Sequence, residues 1–160
     1  MYKIGDIAVY PSHGVGVIEG IEQKEIGNQV YTFYMLRILE NDYTIMVPTH
    51  NADKVGLRPP IGKKEIREIW QILKDTSVTI DNQTWNRRQR EYNDRIKTGC
   101  VKQLAGVLRD LYVLARVKEL SDGERKMLKI ARSLLVGELS AATAKTPDAI
   151  VNQIEALYQS

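Results

Sequence analysis

The punctuation of this chain changes at residue 62, and that change limits the folds open to it. Seven of the eleven glycines and four of the five prolines fall before residue 63. Between them lie short β-type runs at Ile7–Tyr10, Gly16–Ile21, Val30–Ile38 and Tyr43–Val47. Turn-forming clusters separate these runs: Pro11-Ser12-His13-Gly14, Ile26-Gly27-Asn28 and Glu40-Asn41-Asp42. Runs this short, each broken by turn residues, predict four or five strands in a small, strongly bent, barrel-like sheet. Gly14 and Gly16 are expected to give backbone freedom at a tight β connection, since Gly14-Val15-Gly16 is too short for a dinucleotide fingerprint and opens no helix. The stretch Leu57-Arg58-Pro59-Pro60-Ile61-Gly62 reads as the boundary.

Beyond it the apolar period becomes helical. Ile66, Ile69, Trp70 and Leu73 mark one stripe, which places Trp70 in a core, and Leu104, Val107, Leu108, Leu111 and Leu114 mark a longer one. Ser121-Asp122-Gly123-Glu124 has capping-box spacing ahead of a helix that turns Met127, Ala131, Leu134 and Leu135 inward. Thr146-Pro147-Asp148 opens the last helix, with proline where its missing N–H costs nothing and Ile150, Ile154 and Leu157 facing in. Helices near 63–74, 83–97, 100–118, 122–141 and 147–158 predict a compact bundle of about five. The chain is therefore read as α+β, with a β module over 1–60 and an all-helical domain over 61–160.

Charge divides along the same line. Residues 1–62 carry five Lys/Arg against seven Asp/Glu, and residues 63–160 carry eighteen against thirteen. A mildly acidic front (−2) and a basic back (+5) point to two surfaces with different partners. Most of the excess sits between Thr84 and Lys102, where six basic residues face two acids. In that segment Trp85 stands in Asn82-Gln83-Thr84-Trp85-Asn86-Arg87-Arg88-Gln89-Arg90, with no other large apolar residue among the nine. Two readings are open for it. The indole either works against nucleic-acid bases while the arginines hold the backbone, or it packs with Tyr92 and Ile96 as a buried helix stripe.

Catalytic chemistry is hard to find. Only His13 and His50 are near-neutral acid–base groups, and no histidine pair has metal-ligand spacing. Carboxylates such as Asp110 and Glu124 stand beside Lys or Arg at helical spacing and read as solvated faces. The single cysteine, Cys100, forms no intrachain disulfide and is too few for a zinc site. No run approaches the ~18 apolar residues of a membrane span, and the start lacks the apolar stretch of a signal peptide. A cytoplasmic, non-enzymatic binding protein without cofactor or metal is the expectation.

Specific blocks then carry a resemblance. Gly5-Asp6-x-x-Val9-Tyr10-Pro11-x-x-Gly14-x-Gly16, Val47-Pro48, Val55-Gly56-Leu57-Arg58, Thr84-Trp85-Asn86-Arg87-Arg88 and Leu120-Ser121-x-Gly123-Glu124-Arg125-x-Met127-Leu128 resemble the CarD/CdnL family of bacterial transcription factors, which bind RNA polymerase. The likeness spans essentially the whole chain. The front motif alone is also similar to the polymerase-interaction module of transcription-repair coupling factors, but the helical half that follows matches the stand-alone factor.

The resemblance implies a Tudor-like β module that grips the β1 lobe of the polymerase β subunit by extending a sheet. It implies contacts by Met46 and Pro48, flanked by Lys24 and Arg37. Some relatives place an arginine where Met46 stands, so an apolar contact is expected here; otherwise Met46 is an ordinary buried strand residue. The helical domain is implied to reach the upstream edge of the promoter bubble near the −10 element. There Trp85 would act as a wedge, with Arg87 and Arg88 on phosphates and Arg90 and Lys97 as outer helpers. Arg87 is the stronger candidate of the pair, since Arg88 lies one turn from Trp85 and Tyr92 and has the alternative of only supporting their stripe. A monomer associated with the nucleoid through polymerase, stabilising open complexes and binding DNA weakly alone, is the implied whole.

Two rivals come from other classes. One is a Tudor-like reader whose aromatic cage, Tyr31, Phe33 and Tyr34, accepts a methylated or cationic ligand; strand alternation, which is taken to turn Phe33 away from its two neighbours, weakens it. The other is a nucleoid-type protein binding duplex through its basic helices alone, with steep salt dependence.

Overall fold

The computed structural model describes residues 1–77 and 85–159, the side chain of Trp85 excepted. Residues Met1–Pro60 and Ile61–Ser160 form two compact units.

The first unit is a four-stranded antiparallel meander, β1 (Ile7–Tyr10), β2 (Gly14–Ile26), β3 (Gln29–Ile38) and β4 (Thr44–Pro48), in sheet order β1-β2-β3-β4. β2 and β3 are longer than their neighbours, so their far ends project as a two-stranded arm. Alternation sends Ile18, Tyr34, Leu36, Ile38 and Val47 to one face, where they pack with Ala8, Ala52 and Leu57. A register shift between Ile18 and Gly20 bends β2 over this core. Tyr34 closes its edge, accepting a bond from the Tyr2 amide at 3.2 Å and meeting the Tyr2 ring edge-on.

Leu57 and Arg58 belong to this unit rather than to a linker. Leu57 is buried, and Arg58 exchanges backbone hydrogen bonds with Val9 on the outer side of β1, at 2.6 and 3.1 Å. Gly14 takes φ +104, the backbone freedom its position demanded. Gly16 serves another purpose. A Cβ there would stand 2.7 Å from Leu36 Cγ and 2.9 Å from the Arg37 carbonyl oxygen, so glycine permits close strand packing.

The second unit contains α1 (Lys63–Lys74), α2 (Trp85–Lys97), α3 (Val101–Ala115), α4 (Asp122–Thr143) and α5 (Pro147–Ala156). α3 is central and carries most of its apolar residues into the core, which Ile69, Leu73, Met127, Ala131, Leu135, Leu139, Ile150 and Ile154 complete. The expected caps form: Ser121 and Glu124 close a reciprocal capping box, and the Thr146 hydroxyl accepts from the Ala149 amide with Pro147 in the first turn. Trp70, Leu134 and Leu157 are half-buried against this core instead of inside it. Tyr158 is buried, because its hydroxyl donates to the Leu73 carbonyl at 2.5 Å and ties the chain end to α1.

Gly16→Ala should destabilise the β unit by about 1–3 kcal/mol through overpacking against Leu36. Hydrogen exchange of the β2 and β3 amides, compared with those of α3, would measure the loss and confine it to this unit.

Candidate functional site

Two surfaces hold the candidate residues, one on each unit. On the sheet, cross-strand register sets Met46 opposite Met35, Pro48 opposite Phe33, Thr44 opposite Arg37, and Lys24 opposite Tyr31. Residues directly paired share a face. Met46, Pro48, Lys24 and Arg37 therefore all occupy the face turned away from the core, and Met46 is exposed rather than a buried strand residue. Lys24 lies out along the arm. Arg37 is committed within the sheet, paired with Glu19 at 3.2 Å and Asp42 at 3.0 Å.

β4 is an edge strand, and its backbone orientation follows from the turn before it. Asp42 adopts φ +60; its amide donates to the Ile38 carbonyl and the Ile38 amide donates to the Tyr43 carbonyl, at 2.9 and 2.8 Å. This is a bulged turn of the G1 type, with aspartate in the left-handed position. It makes Ile38–Tyr43 a bonded pair. Antiparallel alternation then makes Leu36–Ile45 and Tyr34–Val47 bonded pairs and leaves Met35–Met46 and Arg37–Thr44 unbonded. The amide and carbonyl groups of Thr44 and Met46 consequently point outward along the open edge, where a further strand would meet them. Pro48, which has no N–H, ends that edge.

An aromatic cage does not form on this sheet. Tyr31 and Phe33 share the outer face, but Tyr34 is buried on the other one. The residue facing away from its fellows is Tyr34, not Phe33.

On the helical unit, α2 is polar, and among its described side chains only Tyr92 and Ile96 join the apolar core. Its inward face is completed by charge. Arg88, 8% exposed, places Nη1 3.2 Å from Oε2 of Glu124 on α4, which is itself 1% exposed. Glu124 Oε1 accepts from Lys118 Nζ and from the Ser121 amide, both at 2.8 Å. One turn along α2, the Tyr92 hydroxyl donates to Oδ2 of buried Asp110 on α3 at 3.3 Å. Arg95 reaches the same Oδ2 at 3.7 Å, and Arg109 donates to Oδ1 at 3.1 Å.

This arrangement corrects one expectation and decides another. Asp110 and Glu124 are not solvated, because each receives partners from neighbouring elements that compensate for its burial. Of its two readings Arg88 follows the supporting one, its guanidinium turned into the bundle toward Glu124. Arg87, Arg90 and Lys97 are exposed and fall within an arc of about 80° at 100° per residue, with exposed Asp94 inside that arc and exposed Glu91 about 40° beyond it. Trp85 is the first residue of α2; its side chain lies outside the described residues, as do Asn82, Gln83 and Thr84.

Burial would raise the Glu124 carboxyl, but the bonds from Lys118 and Ser121 more than offset it and hold the group below the usual glutamate range. The Tyr92 hydroxyl is pushed well above the ordinary phenol value, first by burial and then by the Asp110 charge. At neutral pH Glu124 is therefore a carboxylate and the Tyr92 hydroxyl keeps its proton, as their contacts require. Sequence reading passed over Glu124 and Asp110 as binding-surface determinants, and it passed over Gly106. Glycine in the interior of a long apolar helix costs about 1 kcal/mol against alanine and signals a close approach.

Comparison with known proteins decides the family. Residues 2–61 match the family model described as CarD-like/TRCF RID domain, and residues 68–155 match that described as CarD, C-terminal domain. The chain belongs to the CarD family. A Bacillus subtilis (strain 168) protein named "Putative transcription factor YdeB" is 35% identical over 142 residues, covering 87% of this chain and 90% of the relative. Among solved structures, CdnLNt from Myxococcus xanthus is 49% identical, spanning 39% of this chain and 89% of its own, with a TM-score of 0.34. The solution NMR structure of the 72-residue N-terminal domain of Myxococcus xanthus CarD is 34% identical, spanning 37% and 79%, with a TM-score of 0.33.

The CarD family comprises transcription factors that interact with RNA polymerase, and it is not a known enzyme class. In this CarD family member the fold is the family's β module followed by a helical domain. No helix among the described residues is long and apolar enough to cross a membrane.

Glu124→Gln should lower the stability of the helical unit at pH 7. The sign of its pH dependence follows from the depressed carboxyl. The native contribution is full above the unfolded glutamate value of about 4.3 and is lost as pH falls through the lower folded value. The variant should therefore lose less stability than wild type between pH 6 and pH 3. Urea titrations followed by tryptophan fluorescence would test this, since Trp70 and Trp85 both lie in that unit; equal acid slopes would refute it.

Proposed function

We propose that this CarD family protein docks on the β subunit of RNA polymerase, at its β1 lobe, through the open edge of β4, and stabilises the promoter open complex with Trp85. The observation that carries the docking reading is the β4 edge itself. It presents the peptide groups of Thr44 and Met46 outward, beside an exposed Met46 side chain. Strand addition there supplies main-chain hydrogen bonds, and alternate side chains set specificity. Met46 and Pro48 give an apolar contact, with Lys24 and Arg37 on the same face as flanking charges.

In this reading the start of α2 meets DNA at the upstream edge of the bubble. Trp85 occupies the gap where duplex gives way to separated strands, and Arg87 neutralises a neighbouring phosphate, with Arg90 and Lys97 behind it. Unstacking one base step costs on the order of a few kcal/mol, which an inserted ring offsets in part. If the ring fits only melted DNA, its binding energy shifts the equilibrium toward the open state. A differential of ~1.4 kcal/mol shifts it about tenfold. Phosphate contacts orient the protein without reading sequence, so promoter choice stays with the polymerase.

Arg88 supports α2 from inside and contributes to DNA contact only through that support. The exposed stripe of α2 mixes cations with Glu91 and Asp94, so duplex affinity in the absence of polymerase should be weak. Strong duplex binding with a steep salt slope would favour a nucleoid-type role instead.

Trp85→Ala should leave polymerase binding within about twofold of wild type and shorten open-complex lifetime on the order of tenfold, a 1.4 kcal/mol effect. An unchanged lifetime in a heparin-challenge assay removes the wedge. Met46→Asp should abolish capture of polymerase while circular dichroism shows the helices intact; retained capture would mean that another strand makes the contact.

A further inference from the structure

Among its described side chains α2 adds little but Tyr92 and Ile96 to the apolar core, and three ionic or hydrogen-bonded latches supplement that packing. Arg88 reaches Glu124 on α4 at 3.2 Å, and Tyr92 reaches Asp110 on α3 at 3.3 Å. The third is Arg95. Its Nε donates to Gln103 Oε1 at 2.8 Å, its Nη1 lies 3.7 Å from Asp110, and its guanidinium crosses α3 directly over Gly106. A Cβ on Gly106 would run into Arg95 Nη2, so the absence of a side chain there opens the window through which Arg95 lies. Gly106 is buried in the middle of α3, where glycine is otherwise a poor choice for a helix.

We propose that Glu124, Asp110 and Gly106 are positioning residues that set the placement of α2 on the bundle, and through it the working geometry of Trp85 and Arg87. The inference rests on the DNA-contacting reading of α2 given above. Releasing α2's own side of a latch should loosen α2 alone, because α1, α3, α4 and α5 share a continuous apolar core to which α2 adds only Tyr92 and Ile96 among its described side chains. Such local opening is separable from global unfolding, since each cooperative segment has its own free energy.

Gly106→Ala is the clearest probe. It displaces the mobile end of Arg95 while replacing glycine by the best helix former, so the rest of the bundle keeps its stability. Tyr92→Phe, which keeps the ring in the core and removes only the hydroxyl bonded to Asp110, is the second variant. Each would be made in the full chain and compared with Trp85→Ala in two measurements: amide hydrogen exchange of the free protein, and open-complex lifetime with polymerase.

We expect exchange in α2 to accelerate about tenfold in either variant while that of α3 and α4 changes less than about twofold. Open-complex lifetime should fall toward that of Trp85→Ala, and combining Gly106→Ala with Trp85→Ala should add little further loss, as coupled residues do. Unchanged exchange in α2 overturns the proposal, as does equal acceleration across all five helices, which would make the latches general stabilisers. A looser α2 with full open-complex lifetime, where Trp85→Ala shortens it, overturns the functional link. If Trp85→Ala itself has no effect on lifetime, the DNA reading fails, and the exchange measurement alone decides whether the latches place α2.

Discussion

A single buried carboxylate, Glu124, joins three parts of the helical unit. It caps its own helix through Ser121, accepts Lys118 from the preceding loop, and receives Arg88 from a helix 36 residues earlier in the chain. Taking a carboxylate and a guanidinium out of water costs several kcal/mol per ion, and only complete bonding of their remaining donors and acceptors offsets that cost. Well-packed apolar residues of similar size are often as stabilising as a buried ion pair. What the ionic contact adds is direction: a hydrogen bond tolerates little misalignment, whereas a leucine accepts many neighbours. α2, with few apolar residues of its own, depends on that directionality for its place.

The consequence reaches the surface. With Arg88, Tyr92, Arg95 and Ile96 turned inward at spacings of four and three or four residues, the opposite side of α2 is decided as well. Arg87, Arg90 and Lys97 stand outside because the inward positions are occupied, not because arginine is always exposed. The β unit shows comparable logic in its backbone. One left-handed residue, Asp42, sets which peptide groups of β4 bond to β3, and by exclusion which of them face outward at Thr44 and Met46. In each unit a local commitment made on the inside determines what is offered on the outside.

Much of the fold could be read from the residues. Strands at 7–10 and 30–38, helices at 63–74 and 147–158, and the capping box at Ser121 agree with the observed elements to within one or two residues at nearly every end. β2 ran longer than its apolar run, since Gln23, Lys24 and Glu25 pair with β3 in an arm exposed on both sides where no hydrophobic alternation is needed. Met46 as an outward residue was one of two open alternatives, and only the register with Met35 separated them. Arg87 and Arg88 are adjacent and chemically identical, yet Arg88 lies one turn from Tyr92, and that spacing already favoured Arg87 as the outward residue; the inward partner, Glu124, was not legible.

Periodicity is a local property, so element types, their order, the change of grammar near residue 62 and the cap chemistry all followed from the amino-acid sequence by itself. Burial of charge is not local. Asp110 and Glu124 each sit near a lysine or arginine at a spacing that looks the same on a wet helix face as in an interior network. What separates the two cases is whether donors arrive from distant segments to replace water, and those donors, Tyr92 for one and Arg88 for the other, are 18 and 36 residues away. Only the tertiary structure brings them together, because desolvation is decided by everything that surrounds a group in space and not by its neighbours along the chain.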